Sequence, residues 1–112
     1  MANINSISAL GDPTRRRLFE RIRQGACGVS KLVTTVSVSQ PAVSQHLKVL
    51  REAQLVSVVK RGQQRIYQLD LRGLLSLRSY MEDLWEDALR AFGDEAERMA
   101  RVQDEAEMGG GD

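Results

Sequence analysis

Cysteine and histidine are nearly absent from this chain of 112 residues, which has one of each, Cys27 and His46. A lone cysteine excludes an intrachain disulfide and any metal cage built from several thiolates of one chain. Aromatic residues are almost as scarce, with two Phe, two Tyr and one Trp, so the core must be aliphatic. No apolar run approaches the roughly 18 residues of a membrane span, and the opening MANINSISALGD lacks the basic-then-apolar pattern of a signal peptide. A cytoplasmic protein of one domain, with or without an extension, is the expectation. No phosphate-cradling glycine loop and no nucleophile spaced to a base occurs, so an enzyme has no support.

Acid is also missing where it would be expected. Residues 1–85 carry 13 Lys/Arg against 6 Asp/Glu, whereas residues 86–112 carry 3 against 9, an asymmetry hidden by the net charge of +1. A basic body with an acidic end suits a nucleic-acid binder. A solubilising acidic tail on an ordinary domain is the competing explanation.

Ser39–Val49, S-Q-P-A-V-S-Q-H-L-K-V, organises the rest. Ser39 suits a helix N-cap, and Pro41 is tolerated because first-turn N–H groups have no intrahelical partner. Val43, Leu47 and Leu50 form one apolar stripe. The other face holds Gln40, Ser44, Gln45, Lys48 and Arg51, with no carboxylate before Glu52. An ordinary surface helix mixes Glu with Lys; this face suits bases and phosphates.

Upstream, Ile4, Ile7 and Leu10 suggest a short helix ended by Gly11. Asp12-Pro13 starts a second helix over about Pro13–Arg23. Leu18, Phe19 and Ile22 point inward, and the many arginines are expected to be solvated, paired with Glu20 or in part on phosphate. Gln24–Gly28 reads as a loop and Val29–Val36 as a third helix, followed by the turn Ser37-Val38-Ser39. Two short helices joined by such a turn form a helix-turn-helix, although a plain helical hairpin has the same spacing. Leu55–Lys60 and Gln64–Leu69 read as strands joined at Arg61-Gly62-Gln63. A hairpin whose tip carries Lys60, Arg61 and Arg65 and no acid is a wing able to reach the DNA backbone or minor groove. The fold class expected is therefore mainly α with a small β-hairpin, a winged helix-turn-helix.

Leu71 to about Arg101 reads as one long helix, with a break at Gly93 as the alternative. Its apolar seam is too wide for packing on one side. A dimer through the first and last helices follows, with Ile4, Ile7, Leu77, Met81, Leu84, Trp85, Ala88 and Phe92 at the interface. The expected division is a DNA-binding and dimerisation domain over 1–92 and an acidic, partly disordered extension over 93–112, with Gly109–Asp112 disordered.

The segments A-L-G-D-P-T-R-R-R-L (Ala9–Leu18), S-Q-P-A-V-S-Q-H-L-K-V-L-R-E-A (Ser39–Ala53) and R-G-Q-Q-R-I-Y-Q-L, in this order and spacing, resemble the ArsR/SmtB-type winged-helix repressors. The resemblance covers about residues 6–92. It implies a homodimer on double-stranded DNA at a partly palindromic operator, usually repressing its own promoter, with DNA contacts at Ser39, Gln40, Ser44, Gln45, His46 and Lys48. Two positions depart from the family pattern: Ser37 and Gln54 stand where glycine is usual. Left-handed backbone there would cost a non-glycine residue on the order of 1 kcal/mol.

Gln40, Ser44 and Gln45 are expected to read base edges, and Lys48, Arg61, Arg65 and Arg15 to hold phosphate. His46 has two readings, a packed helix-edge residue or a phosphate contact. Many relatives sense metal through cysteine pairs or His/Asp clusters. Here Cys27 stands alone, and Asp70, Glu82, Asp83, Glu86 and Asp87 have no imidazole beside them, so no metal site and no cofactor are expected. Cys27 is expected to be inert and partly buried. The alternatives are a small-molecule or thiol-responsive sensor with an inducer near Trp85, Tyr80 and Cys27, and a winged-helix protein-interaction module.

Overall fold

The computed structural model describes residues 2–109, without the side chains of residues 2–5, 96 and 107–109. The Ile4 side chain and residues 110–112 thus lie outside what is described, and Gly109, expected to be disordered, is the last residue of a helix. The order is α1 (Ala2–Gly11), α2 (Pro13–Gln24), β1 (Cys27–Gly28), α3 (Val29–Thr35), α4 (Gln40–Glu52), β2 (Val56–Arg61), β3 (Gln64–Leu69), α5 (Leu71–Phe92) and α6 (Asp94–Gly109). Two compact units divide between Ser79 and Tyr80, within α5. Among the described residues, no helix is long and apolar enough to cross a membrane.

In the first unit α2 and α4 start where a side chain satisfies one of their orphan donors. Asp12 caps α2, its Oδ2 accepting from the Arg15 N–H at 2.9 Å, with Pro13 at the first position. Ser39 caps α4, its Oγ accepting from the Ala42 N–H at 3.3 Å. The last carbonyls of α1 are closed from the next helix: Arg15 Nε donates to Ala9 O at 2.8 Å and Arg16 Nε to Leu10 O at 3.1 Å. Arg15 is therefore a structural residue, not the phosphate ligand expected of it, because its fork faces the end of α1. Arg23 pairs with Glu20 at 3.1 Å, as anticipated.

The core is aliphatic. Val43, Leu47 and Leu50 of α4 are fully buried with Leu18 and Ile22 of α2, Leu32 of α3 and Leu55 beyond α4. Each such side chain contributes about 1.5–3 kcal/mol over leaving it in water. A three-stranded antiparallel sheet in the order β1-β3-β2 flanks them. The segment read as a loop thus contains a strand: Cys27 pairs with Tyr67 and Gly28 with Ile66. Two residues carry no readable alternation, so only the pairing with β3 defines β1. Arg61 belongs to β2, paired with Gln64, which leaves Gly62-Gln63 as the turn. Gly62 has φ 62°, the positive value a two-residue hairpin turn needs at its first position.

The end of α4 is closed by a Schellman motif. Leu55 N–H donates to Leu50 O at 3.1 Å and Gln54 N–H to Arg51 O at 2.9 Å. Gln54 has φ 60° and, among the described residues, is the one non-glycine with positive φ. The left-handed cost expected at both departures thus applies at Gln54 and not at Ser37. The Gln54 carbonyl then accepts from Gly73 N–H at 2.8 Å. Gly73 is buried, and a Cβ there would overlap the Gln54 carbonyl and lie 2.8 Å from Ala53 O. The first turn of α5 is thereby pinned to the last turn of α4.

In the second unit, the long helix expected from Leu71 to about Arg101 is two helices. Gly93 takes φ 57° and its N–H closes α5 on Leu89 O at 2.7 Å. Asp94, Glu95 and Glu97 then occupy the first turn of α6, where carboxylates suit the helix dipole.

Two stability predictions follow from the junction at Gln54. Gly73→Ala should destabilise by at least about 2 kcal/mol, because backbone cannot yield to the methyl; an unchanged urea midpoint would refute the close approach. Gln54→Gly should stabilise by about 1 kcal/mol and raise the melting temperature by about 4–8 °C. A melting temperature equal to or below that of the parent would show that φ here carries no strain.

Candidate nucleic-acid interface

With Val43, Leu47 and Leu50 buried, the 100° step of the helix turns Gln40, Ser44, Gln45, Lys48 and Arg51 to solvent. These five side chains line one side of an open groove of about 810 Å³. Ser57 and Val58 of β2, Arg65 and Tyr67 of β3 and Arg72 of α5 line it as well. The structure therefore brings together Gln40, Ser44, Gln45, Lys48 and Arg65 from the residues expected to meet DNA. Ser39, His46 and Arg61 do not line the groove. Ser39 is held as the cap of α4, and Arg61 is exposed at the wing tip.

His46 faces the start of α2. Its Nδ1 accepts from Arg15 Nη1 at 3.4 Å and lies 3.9 Å from Asp12 Oδ2. In a neutral ring this acceptor role leaves the proton on Nε2. Of the two readings, the geometry matches the packed helix edge. Asp12 is held below the usual carboxylate range, first by the Arg15 N–H, with the charges of Arg15 and His46 adding to it and burial opposing. Asp12 thus stays ionised at this contact.

Arg72 and Arg51 extend the interface beyond the assigned sites. Arg51 was visible on the acid-poor face; Arg72 was not, because its sequence position marks only the start of a helix. Asp70 holds it: Oδ2 accepts from Arg72 Nη2 at 2.8 Å and Oδ1 from Nε at 3.2 Å and from the Arg72 N–H at 3.0 Å. The side-chain bond to Arg72 lowers the Asp70 pKa and raises that of Arg72. Asp70, which directly precedes α5, is thus committed to an arginine. Arg72 is an aimed donor whose charge is offset, and Lys48, Arg51 and Arg65 outnumber the one carboxylate that lines the groove, Glu52.

On the wing, Lys60 stands directly opposite Arg65 in the β2–β3 ladder. Like charges at that register are unfavourable in an isolated sheet, and a polyanion lying across the hairpin would relieve them. Cys27 is 5% exposed and held in β1. Among the described residues, no group of three or more His, Cys, Asp and Glu could hold a metal ion.

Of the residues expected at a dimer contact, Ile7 is exposed and Leu77 half-buried in the first unit, and in the second Met81, Leu84, Trp85 and Phe92 are exposed and Ala88 half-buried.

Comparison with known proteins agrees with this geometry. Residues 12–58 match the family described as "Bacterial regulatory protein, arsR family". The chain is 46% identical over 84 residues to the HTH-type transcriptional regulator Rv2034 of Mycobacterium tuberculosis, covering 75% of this chain and 78% of that protein. It is 30% identical over 66 residues to the transcriptional repressor SdpR of Bacillus subtilis, covering 59% and 73%. A crystal structure of a possible transcriptional regulator for arsenical resistance superposes with a TM-score of 0.67 at 37% identity, covering 81% of this chain and 95% of that one. The chain belongs to the ArsR family of bacterial regulatory proteins: it is a DNA-binding transcriptional regulator with a winged helix-turn-helix fold, not an enzyme.

Proposed function

We propose that the chain acts as a homodimeric, sequence-specific repressor of its own promoter, whose DNA binding requires no metal. The observation that carries this reading is the groove in which an acid-poor helix face and Arg65 of the wing converge. Two such helices in one dimer would enter successive major grooves roughly 10 bp apart. Gln40, Ser44 and Gln45 would read base edges, glutamine matching the donor–acceptor pair of adenine. Lys48, Arg61 and Arg65 would hold phosphates, with Ser39 and His46 at the margin. Residues 1–92 would supply both DNA binding and dimerisation, through Ile4 and Ile7 of α1 and Leu77, Met81, Leu84, Trp85, Ala88 and Phe92 of α5. The acidic segment beyond Gly93 would be an appendage. Metal independence is supported by a lone thiol that is buried and by the engagement of Asp70 with Arg72.

A second reading, response to a small-molecule inducer, is favoured by one feature. Trp85, Phe92, Glu95 and Met99 enclose an open concavity of about 470 Å³, within the size range of ligand sites. A thiol-based response has less support, because Cys27 is covered.

The test is a fluorescence anisotropy titration against DNA from upstream of the gene and against a shuffled fragment, with and without chelator and reductant. Tight binding to the upstream fragment alone, indifferent to both additives, is expected. Affinity that moves with chelator would remove metal independence. Gln45→Ala should lose about 1–3 kcal/mol of discrimination at one base pair, whereas Lys48→Ala should weaken all sequences alike and reduce the salt slope by about one. A Gln45→Ala variant with unchanged affinity for both fragments would mean that another face reads the bases.

A further inference from the structure

The five arginines of α2 separate by what they touch. Arg15 and Arg16 close the carbonyls of α1. Arg21 donates to Gly25 O at 3.3 Å, and Arg23 pairs with Glu20 at 3.1 Å. Arg17 is exposed and has no ion pair or side-chain hydrogen bond among the described residues. It lines a groove of about 530 Å³ with Arg16, Arg21, Gln24 and Thr35. The one carboxylate in that groove, Glu20, is the one already paired with Arg23. Three guanidinium groups thus face an open groove with a positive excess.

This groove continues toward the recognition helix. Arg17 and Pro13 also line a neighbouring concavity of about 280 Å³ with Thr14, Ser37 and Val38. Ser37 and Val38 are the residues that lead into Ser39, the cap of α4. A helix entering the major groove by its N-terminus brings the turn before it against the phosphates that wall the groove, a width of about 12 Å. A cation beside that turn therefore meets backbone, not bases. The recognition groove of Lys48, Arg51, Arg65 and Arg72 shares no lining residue with either of these concavities.

We infer that Arg17, with Arg21 beside it, forms a second phosphodiester-binding surface that grips the DNA backbone at the helix-turn-helix turn. The surface is independent of base sequence, and it rests on the DNA-binding reading of α4. An acidic protein segment would satisfy the same charges, but the surface's continuity with the turn into α4 favours nucleic acid.

The experiment is the salt dependence of anisotropy for the full chain and Arg17→Ala, on the upstream and the shuffled fragment. Arg17→Lys and Arg23→Ala are measured alongside, with thermal melts of each. Loss of one phosphate contact reduces the slope of log K against log salt by about 0.9 for each bound protomer. Arg17→Ala should show that reduction on both fragments at an unchanged melting temperature. Arg17→Lys should keep the parental slope, since a lysine holds phosphate as a point charge, and Arg23→Ala should keep it too. A parental slope for Arg17→Ala on both fragments would overturn the inference and leave an acidic protein as the candidate partner. An equal reduction in Arg23→Ala would overturn it as well, because net charge alone would then explain the effect. Equal affinity of the parent for both fragments would instead defeat sequence-specific binding, while the slope of Arg17→Ala would still decide the role of Arg17.

Discussion

The burial of one face of α4 is the constraint on which the rest depends. Val43, Leu47 and Leu50 are wholly removed from water, so the rotation of the helix about its axis is set by the core. Rotation by one residue would place Ser44 or Lys48 among leucines, at several kcal/mol for an unpartnered polar group. The polar face is therefore presented in one orientation. The Schellman closure at Gln54 then sends Leu55 into the core and the chain into β2, and the Gln54 carbonyl receives the start of α5. One junction thus sets where the recognition helix ends, where the wing departs and where Arg72 stands.

Arginine does two different jobs in this chain, and local partners decide which. Arg15 and Arg16 satisfy carbonyls that α1 leaves open, Arg23 answers Glu20, and Arg72 is steered by Asp70. Lys48, Arg51 and Arg65 have solvent and an open groove before them. In the wing, Lys60 and Arg65 face each other across the ladder, an arrangement that a protein with no anionic partner has reason to avoid. Charge counting over the sequence treats all of these alike; the hydrogen bonds separate them.

Membership of the ArsR family explains the scaffold. Here the thiol of Cys27 is buried and a carboxylate at the head of α5 is bound to an arginine. The chemistry on view is weighted toward holding DNA. In the second unit Trp85, Phe92, Glu95 and Met99 line an open concavity of about 470 Å³.

The sequence alone determined the first four helices, the starts of α2 and α4, and the wing. Apolar spacing at 3.6 residues, Asp12-Pro13 and Ser39 as caps, and a Gly62 turn between β-branched runs are local signals that act within a few residues. The exposed polar face of α4 was legible for the same reason, since helical periodicity alone separates Gln40, Ser44, Gln45 and Lys48 from Val43, Leu47 and Leu50. Tertiary structure alone decided the matters that join distant residues. Strand β1 exists because Cys27 and Gly28 find Tyr67 and Ile66, and two residues hold no pattern of their own. Arg15 is structural because its guanidinium reaches the end of α1, and Arg72 joins the groove because Gly73 lets α5 dock on Gln54. The break at Gly93, although one glycine hinted at it, was decided by that residue adopting φ 57°. Periodicity reports which face of an element is apolar; only the packed chain decides what that face, and each charge beside it, will meet.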